Sequence, residues 1–200
     1  MKASFFRITV LFSVLMLTFS VQSQTNLEKD IENIFRYQPT YGEPYDKKAK
    51  IEQLGSTREV RAILLIMLGK YKHAKPSTEE SLYLNGATWM LGEMKERQAT
   101  ELLSQMLFDP KTHENVRALA ARSLGQIDAE GNKQLLLKAL ANKDDYFQVR
   151  VYAAEALGKT KDAEVLKALE NYGREEKDSH VKQQFEKAAQ ELRGRLRRPR

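Results

Sequence analysis

Val116-Arg117-Ala118-Leu119-Ala120-Ala121-Arg122-Ser123-Leu124-Gly125 returns as Val149-Arg150-Val151-Tyr152-Ala153-Ala154-Glu155-Ala156-Leu157-Gly158, displaced by 33 residues. A third copy, Val60-Arg61-Ala62-Ile63-Leu64-Leu65-Ile66-Met67-Leu68-Gly69, keeps both ends of the motif. Tyr83 to Gly92 keeps only the Leu-Gly end, and Val181 to Gln190 keeps the start but has no Gly. The intervals between successive copies are 23, 33, 33 and 32 residues. Self-similarity at this period is the signature of stacked supersecondary units.

Each copy reads as a helix. Val149, Ala153, Ala154, Ala156 and Leu157 recur at i, i+4, i+5, i+7 and i+8, which is one buried face. Paired alanines let neighbouring helices approach closely. Glycine in a helix costs about 1 kcal/mol against alanine, so its return at positions 69, 92, 125 and 158 predicts a tight helix contact or a helix C-cap. Between the copies, Gln98 to Phe108, Asn132 to Ala141 and Ala163 to Tyr172 supply further helices. Turn chemistry at Asp109-Pro110-Lys111-Thr112 and Asn142-Lys143-Asp144-Asp145 separates them. The repeating unit is helix, turn, helix.

The motif Asp…Val-Arg-x-x-Ala-Ala-x-x-Leu-Gly, with Asp109 or Asp144 ahead of Val-Arg, resembles the HEAT repeat in the short form named for phycobilisome lyases. The resemblance runs over residues 46–193 and is closest around Gly125 and Gly158. It implies an all-α fold, a right-handed α-solenoid of HEAT-like helix pairs (an α-α superhelix). The 23-residue interval between Gly69 and Gly92 leaves the register of the first units open. The last copy, lacking its Gly, fits a capping repeat that turns a polar face to water.

Ahead of the repeats, Lys2 and Arg7 precede a twelve-residue apolar run from Ile8 to Phe19, followed by Ser20-Val21-Gln22-Ser23. This is the pattern of a cleavable signal peptide over residues 1–23. A membrane anchor would want about 20 apolar residues, and Gln22 to Asn26 interrupt too early. The expected location is therefore the periplasm or the exterior. Residues 24–45 hold an amphipathic helix (Leu27, Ile31, Ile34, Phe35) and a Pro/Tyr loop from Arg36 to Tyr45. That loop reads either as a cap over the end of the solenoid or as a contact segment.

The formal charge of +6 is unevenly placed. Lys2 and Arg7 belong to the leader, and five arginines fall within Arg193 to Arg200, so the body from Gln24 to Leu192 is close to neutral. A nucleic-acid-binding fold would carry its basic stripe within the body, and no nucleic acid is expected as partner. The basic tail at 194–200 is either a solvated end or a weak, salt-sensitive contact with an anionic envelope.

The residues carry little legible chemistry. The chain has no Cys, which removes disulfides, thiolate metal sites and Cys nucleophiles. The three histidines, His73, His113 and His180, form no ligand pair at helical spacing. An iron hydroxylase built of HEAT repeats uses several His-Glu pairs. His113-Glu114 occurs once and precedes its motif helix, where an acid suits the helix N-terminus. No metal, cofactor or catalytic residue is implied, and a non-enzymatic role is expected.

Asp109, Asp144 and Asp178 are expected to cap the helices that follow them, with Arg117 and Arg150 tying adjacent units together. The varying position three residues before each motif Gly holds Ile66, Trp89, Arg122 and Glu155, matched by Lys187 in the last copy. Ala62, Asn85, Ala118, Val151 and Gln183 come one turn earlier. If the motif helices line the concave surface, these positions form a row along it. The candidate partner-binding residues are Trp89, Arg122, Tyr152, Glu155 and Lys187, Trp and Arg being types enriched in binding hot spots. The expected function is an exported scaffold that binds a protein partner through this face. The alternatives are an envelope- or polyanion-associated protein held by its Arg-rich tail, or a lyase or hydroxylase of HEAT type.

Overall fold

The computed structural model describes residues 23–37, 46–54 and 57–197. All but Ser23 of the expected signal peptide lies outside the described residues, as do residues 38–45 of the Pro/Tyr loop and the last three residues of the tail. Among the described residues the regular structure is helical, with no strand. They divide into two compact units, one ending at Ile63 and the other beginning at Leu64.

The first unit holds α1 (residues 23–36), α2 (Lys47–Glu52) and the opening turns of α3 (Thr57–Tyr71). Ile31, Phe35, Ile51, Val60 and Ile63 are its buried apolar residues. Asp46 caps α2 by accepting the Ala49 N–H at 3.1 Å. Lys47 Nζ donates to the Phe35 carbonyl at 3.0 Å, and burial pushes its ammonium below the usual lysine range.

The second unit contains the rest of α3, then α4 (Glu79–Glu93), a 3-10 turn (Arg97–Ala99), α5 (Thr100–Phe108) and α6 (Glu114–Asp128). It continues through α7 (Lys133–Ala141), α8 (Phe147–Leu157), α9 (Ala163–Glu175) and α10 (Ser179–Arg197). The helices stack in two layers. The motif helices α4, α6, α8 and α10 each pack on the next, while α5 packs on α6, α7 on α8 and α9 on α10. Leu124, Leu136, Leu157, Leu169 and Leu192 lie buried along the seam.

The recurring glycines are contact sites. A methyl group built on Gly125 would stand 2.2 Å from the Ala156 Cβ, and one on Gly92 would stand 2.6 Å from the Ser123 Oγ. At Gly158 the obstacle is backbone, the Ala188 carbonyl oxygen at 3.0 Å. Each glycine thus lies against a small residue of the next motif helix. The expectation of a tight contact holds at all three. The C-cap reading holds only at Gly158, whose conformation is an ordinary right-handed one. Gly92 lies inside α4, and the left-handed turn after it belongs to Lys95, at φ 52°. There the Lys95 N–H donates to the Gly92 carbonyl and the Glu96 N–H to Leu91, which closes the helix as a Schellman turn normally closed by glycine.

The early register, left open by spacing, is settled by Gly69. Its nearest neighbour is Leu102 of α5, 3.9 Å away, so the copy ending there belongs to the other layer. The short interval arises because α3 and α4 are the two helices of one pair, and each carries a Leu-Gly end.

Polar groups tie units at both edges of the stack. At the turns within pairs, Arg117 Nη1 donates to the Thr112 carbonyl at 2.7 Å and Nη2 to Asp145, while Arg150 donates to Glu176. At the turns between pairs, Lys133 Nζ donates to Asp162 at 2.6 Å, and the Lys161 N–H to Glu130 at 3.2 Å. The expected caps are partly reassigned. Asp178 caps α10, accepting the His180 and Val181 N–H groups. Asp109 instead accepts Lys111 N–H inside its turn, and His113 caps α6 through Nδ1. Asp145, the neighbour of Asp144, receives the arginine.

Two predictions follow from these contacts. Gly125→Ala costs about 1–3 kcal/mol through overpacking, net of the better helix propensity of alanine. Gly69→Ala, on an exposed and open site, gains up to about 1 kcal/mol; urea denaturation of the pair reads both signs. Asp162 caps α9 by accepting the Glu164 and Val165 N–H groups, and it is held below the usual aspartate range by the Lys133 ammonium first and the Glu164 N–H second. Its stabilisation is therefore complete above that usual range and is lost as pH falls through the lowered folded value. Asp162→Ala costs about 1 kcal/mol at neutral pH, and the gap from wild type closes on acidification.

Candidate partner-binding face

The motif helices α4, α6 and α8 leave a narrow outward strip, whereas α10 is buried only along Val181, Phe185, Ala188, Ala189 and Leu192. In α6, Ala121 and Ser123 are buried and Arg122 between them is exposed. In α8, Tyr152 and Glu155 are half-buried among the buried Val151, Ala153, Ala154 and Ala156. Trp89 is half-buried between the buried Thr88 and Met90 of α4, and Lys187 is exposed beside the buried Ala188 of α10.

The glycine contacts join these helices in one repeated crossing. Gly92 abuts Ser123 and Gln126, Gly125 abuts Ala156, and Gly158 abuts Ala188. Each glycine thus meets the residue two places before the Gly position of the next copy, so the same crossing recurs from helix to helix. Trp89, Arg122, Glu155 and Lys187 hold the equivalent place in the four copies, one per helix. Arg122 and Tyr152 come into direct contact, the guanidinium lying 5.7 Å from the ring centroid in a cation–π arrangement. Gln126 Nε2 donates to Glu93 Oε1 at 2.5 Å and links α6 to α4.

Some expected members of this face are elsewhere. Ala118 and Val151 are buried in the seam. With 3.6 residues per turn, the residue that shares a strip with Arg122 is Leu119, three positions back, and with Glu155 it is Tyr152. Leu119 is half-buried and was detectable as the counterpart of Tyr152 at the 33-residue offset. Ile66 is 53% exposed, but it belongs to α3, whose Gly69 faces α5, so it is not part of this set.

Among the described residues no group of three or more His, Asp or Glu is placed to hold a metal ion. No described helix is long and apolar enough to cross a membrane.

A two-layer stack of helix pairs, with small residues at the crossing points and arginines bridging successive turns, defines a helical-repeat protein. A family model for HEAT repeats matches residues 49–150 and again 111–193, and the chain belongs to that family. HEAT repeats form helical scaffolds that mediate protein–protein interaction. A search of curated proteins found no match.

A double-mutant cycle with Arg122→Ala and Tyr152→Leu should return a coupling of about 0.5–1 kcal/mol in stability, and the helical circular dichroism should be unchanged in all variants.

Proposed function

We propose that this protein is an exported, non-enzymatic HEAT-repeat scaffold that holds a protein partner against the concave surface lined by α4, α6, α8 and α10. The observation that supports this reading is the Arg122–Tyr152 cation–π contact between α6 and α8, at the place that Trp89, Arg122, Glu155 and Lys187 share in their copies. Around that place the helices keep small and apolar residues, while the place itself changes from aromatic to cationic to acidic. Variation at one outward position on an otherwise uniform frame suits recognition of a particular surface. Trp and Arg concentrate binding energy because they combine large area with polar handles. Export is supported by the basic start, apolar run and small-residue end of residues 1–23.

The reading in which the Arg-rich tail drives association with polyanions is less well supported. α10 runs on to Arg197, and two of the basic residues near its end are engaged within the fold. Arg193 pairs with Glu170 at 2.5 Å, and Arg195 with Glu191 at 2.8 Å.

Affinity capture from the native envelope, read by mass spectrometry, tests the proposal. Wild-type chain should retain a defined protein that Trp89→Ala binds about thirtyfold more weakly, a loss on the order of 2 kcal/mol, with helicity preserved. The captured bait should itself have the mass of a chain beginning near Gln24. Equal retention by both baits removes these positions as the binding face, and an intact leader removes the export step.

A further inference from the structure

The helices α6 and α8 carry Arg117, Arg122 and Arg150. Arg117 and Arg150 end on carboxylates, those of Asp145 and Glu176. Arg122 is exposed, and its guanidinium is held over the Tyr152 ring instead. No carboxylate among the described residues takes up its N–H donors, and Glu155 and Lys187 likewise stand outside every ion pair there. A side chain that is already ordered loses less freedom on binding. Arg122 is thus set for an acceptor that the fold does not supply.

The order of chemistry along the copies narrows what that acceptor belongs to. From α4 through α6 and α8 to α10, the shared place is aromatic, cationic, anionic and cationic. Leu119 and Tyr152, both half-buried, lie three residues before Arg122 and Glu155 and add apolar surface beside them. A polyanion does not match this order, because Glu155 stands between the cations in the series. A stretch of polypeptide matches it, since one chain carries apolar, acidic and basic groups in a set sequence.

Spacing selects the conformation of that stretch. The glycine contacts hold successive motif helices in close packing, for which helix axes lie about 8–10 Å apart. A segment crossing them has to present one side chain per helix at that interval. Along one face of a β-strand side chains return about every 7 Å. Along an α-helix they return after about 5 Å for one turn and about 11 Å for two. A polyproline II segment has three residues per turn and rises about 3.1 Å per residue, so every third side chain returns to one face after about 9 Å. Only the last fits, and aromatic surfaces of the kind Trp89 and Tyr152 offer are where such segments dock.

We propose that this face binds a polyproline II segment of the partner in which every third residue is in turn apolar, acidic, basic and acidic. The apolar residue packs on Trp89, the first acid takes the N–H donors of Arg122, the base meets Glu155, and the second acid meets Lys187. The inference rests on the reading of α4, α6, α8 and α10 as the binding face.

The anisotropy of a fluorescein-labelled peptide, Leu-Pro-Pro-Asp-Pro-Pro-Lys-Pro-Pro-Asp, is measured as purified chain is added, and again for the same residues in reverse order. One of the two should bind saturably. Exchanging its two central charges should weaken binding about tenfold or more, because like charges then meet. Arg122→Glu/Glu155→Lys should invert that preference in favour of the exchanged peptide. Both positions are outside the core; if the double variant loses its helical circular dichroism, Arg122→Glu alone, at an exposed site, should abolish the preference. The proposal is overturned if neither peptide binds at millimolar concentration or if charge reversal leaves the preference unchanged. It is also overturned if a helical peptide with the same four residues seven apart binds more tightly. Capture of a partner that depends on Trp89, with neither peptide bound, sinks this proposal and leaves the binding face standing.

Discussion

The separation of the motif helices is set by side chains that are missing. Gly125 and Ala156 meet so closely that a single added methyl would overlap its neighbour, and Gly92 and Gly158 repeat the arrangement one helix before and one after. Packed interiors tolerate little extra volume, so these crossings fix how near the helices lie and where along their length they meet. The same closeness makes a polar contact possible inside the seam, where Ser123 Oγ donates to the Thr88 carbonyl at 2.8 Å. A hydroxyl buried there would otherwise destabilise the stack.

The edges have a different role. Arg117 with Asp145 and Arg150 with Glu176 are shielded pairs, whereas Lys143 with Glu175 is exposed on both sides. Exposed pairs contribute little to stability; shielded ones matter chiefly because breaking them strands a charge. Glu176 illustrates the balance. Burial works to raise its carboxyl, but the Asp178 N–H and the Arg150 guanidinium outweigh it and hold it below the usual glutamate range. The seam thus determines distance and the edges determine which turn meets which.

Much of this was legible from spacing alone. The 33-residue return identified the helix pairs, the Leu-Gly ends marked the crossings, and the arginines after each Val pointed to ties between units. What escaped notice depended on finer geometry. Asp144 and Asp145 are adjacent, and only the turn decides which one meets Arg117. The motif ending at Gly69 looks like the others, yet its helix belongs to the opposite layer because Gly69 and Gly92 lie on the two helices of a single pair. Stepping back four residues from Arg122 leads to Ala118 in the seam; stepping back three leads to Leu119 on the face. The nearness of the α3–α4 and α5–α6 turns could not be read from sequence, since stacking alone brings them together.

The cations that bridge successive turns all reach in one direction. Arg117 extends to the turn after α7, Arg150 to the turn after α9, and Lys133 to the start of α9, each grasping the unit that follows. The assembly is therefore polar, like a row of clasped hands with a leading and a trailing end. Shortening the chain from its C-terminal side would leave an arginine reaching into water with its seat gone, while shortening it from the other side would leave a carboxylate waiting for an absent cation. The two cuts are chemically unequal even though the helices they remove are alike.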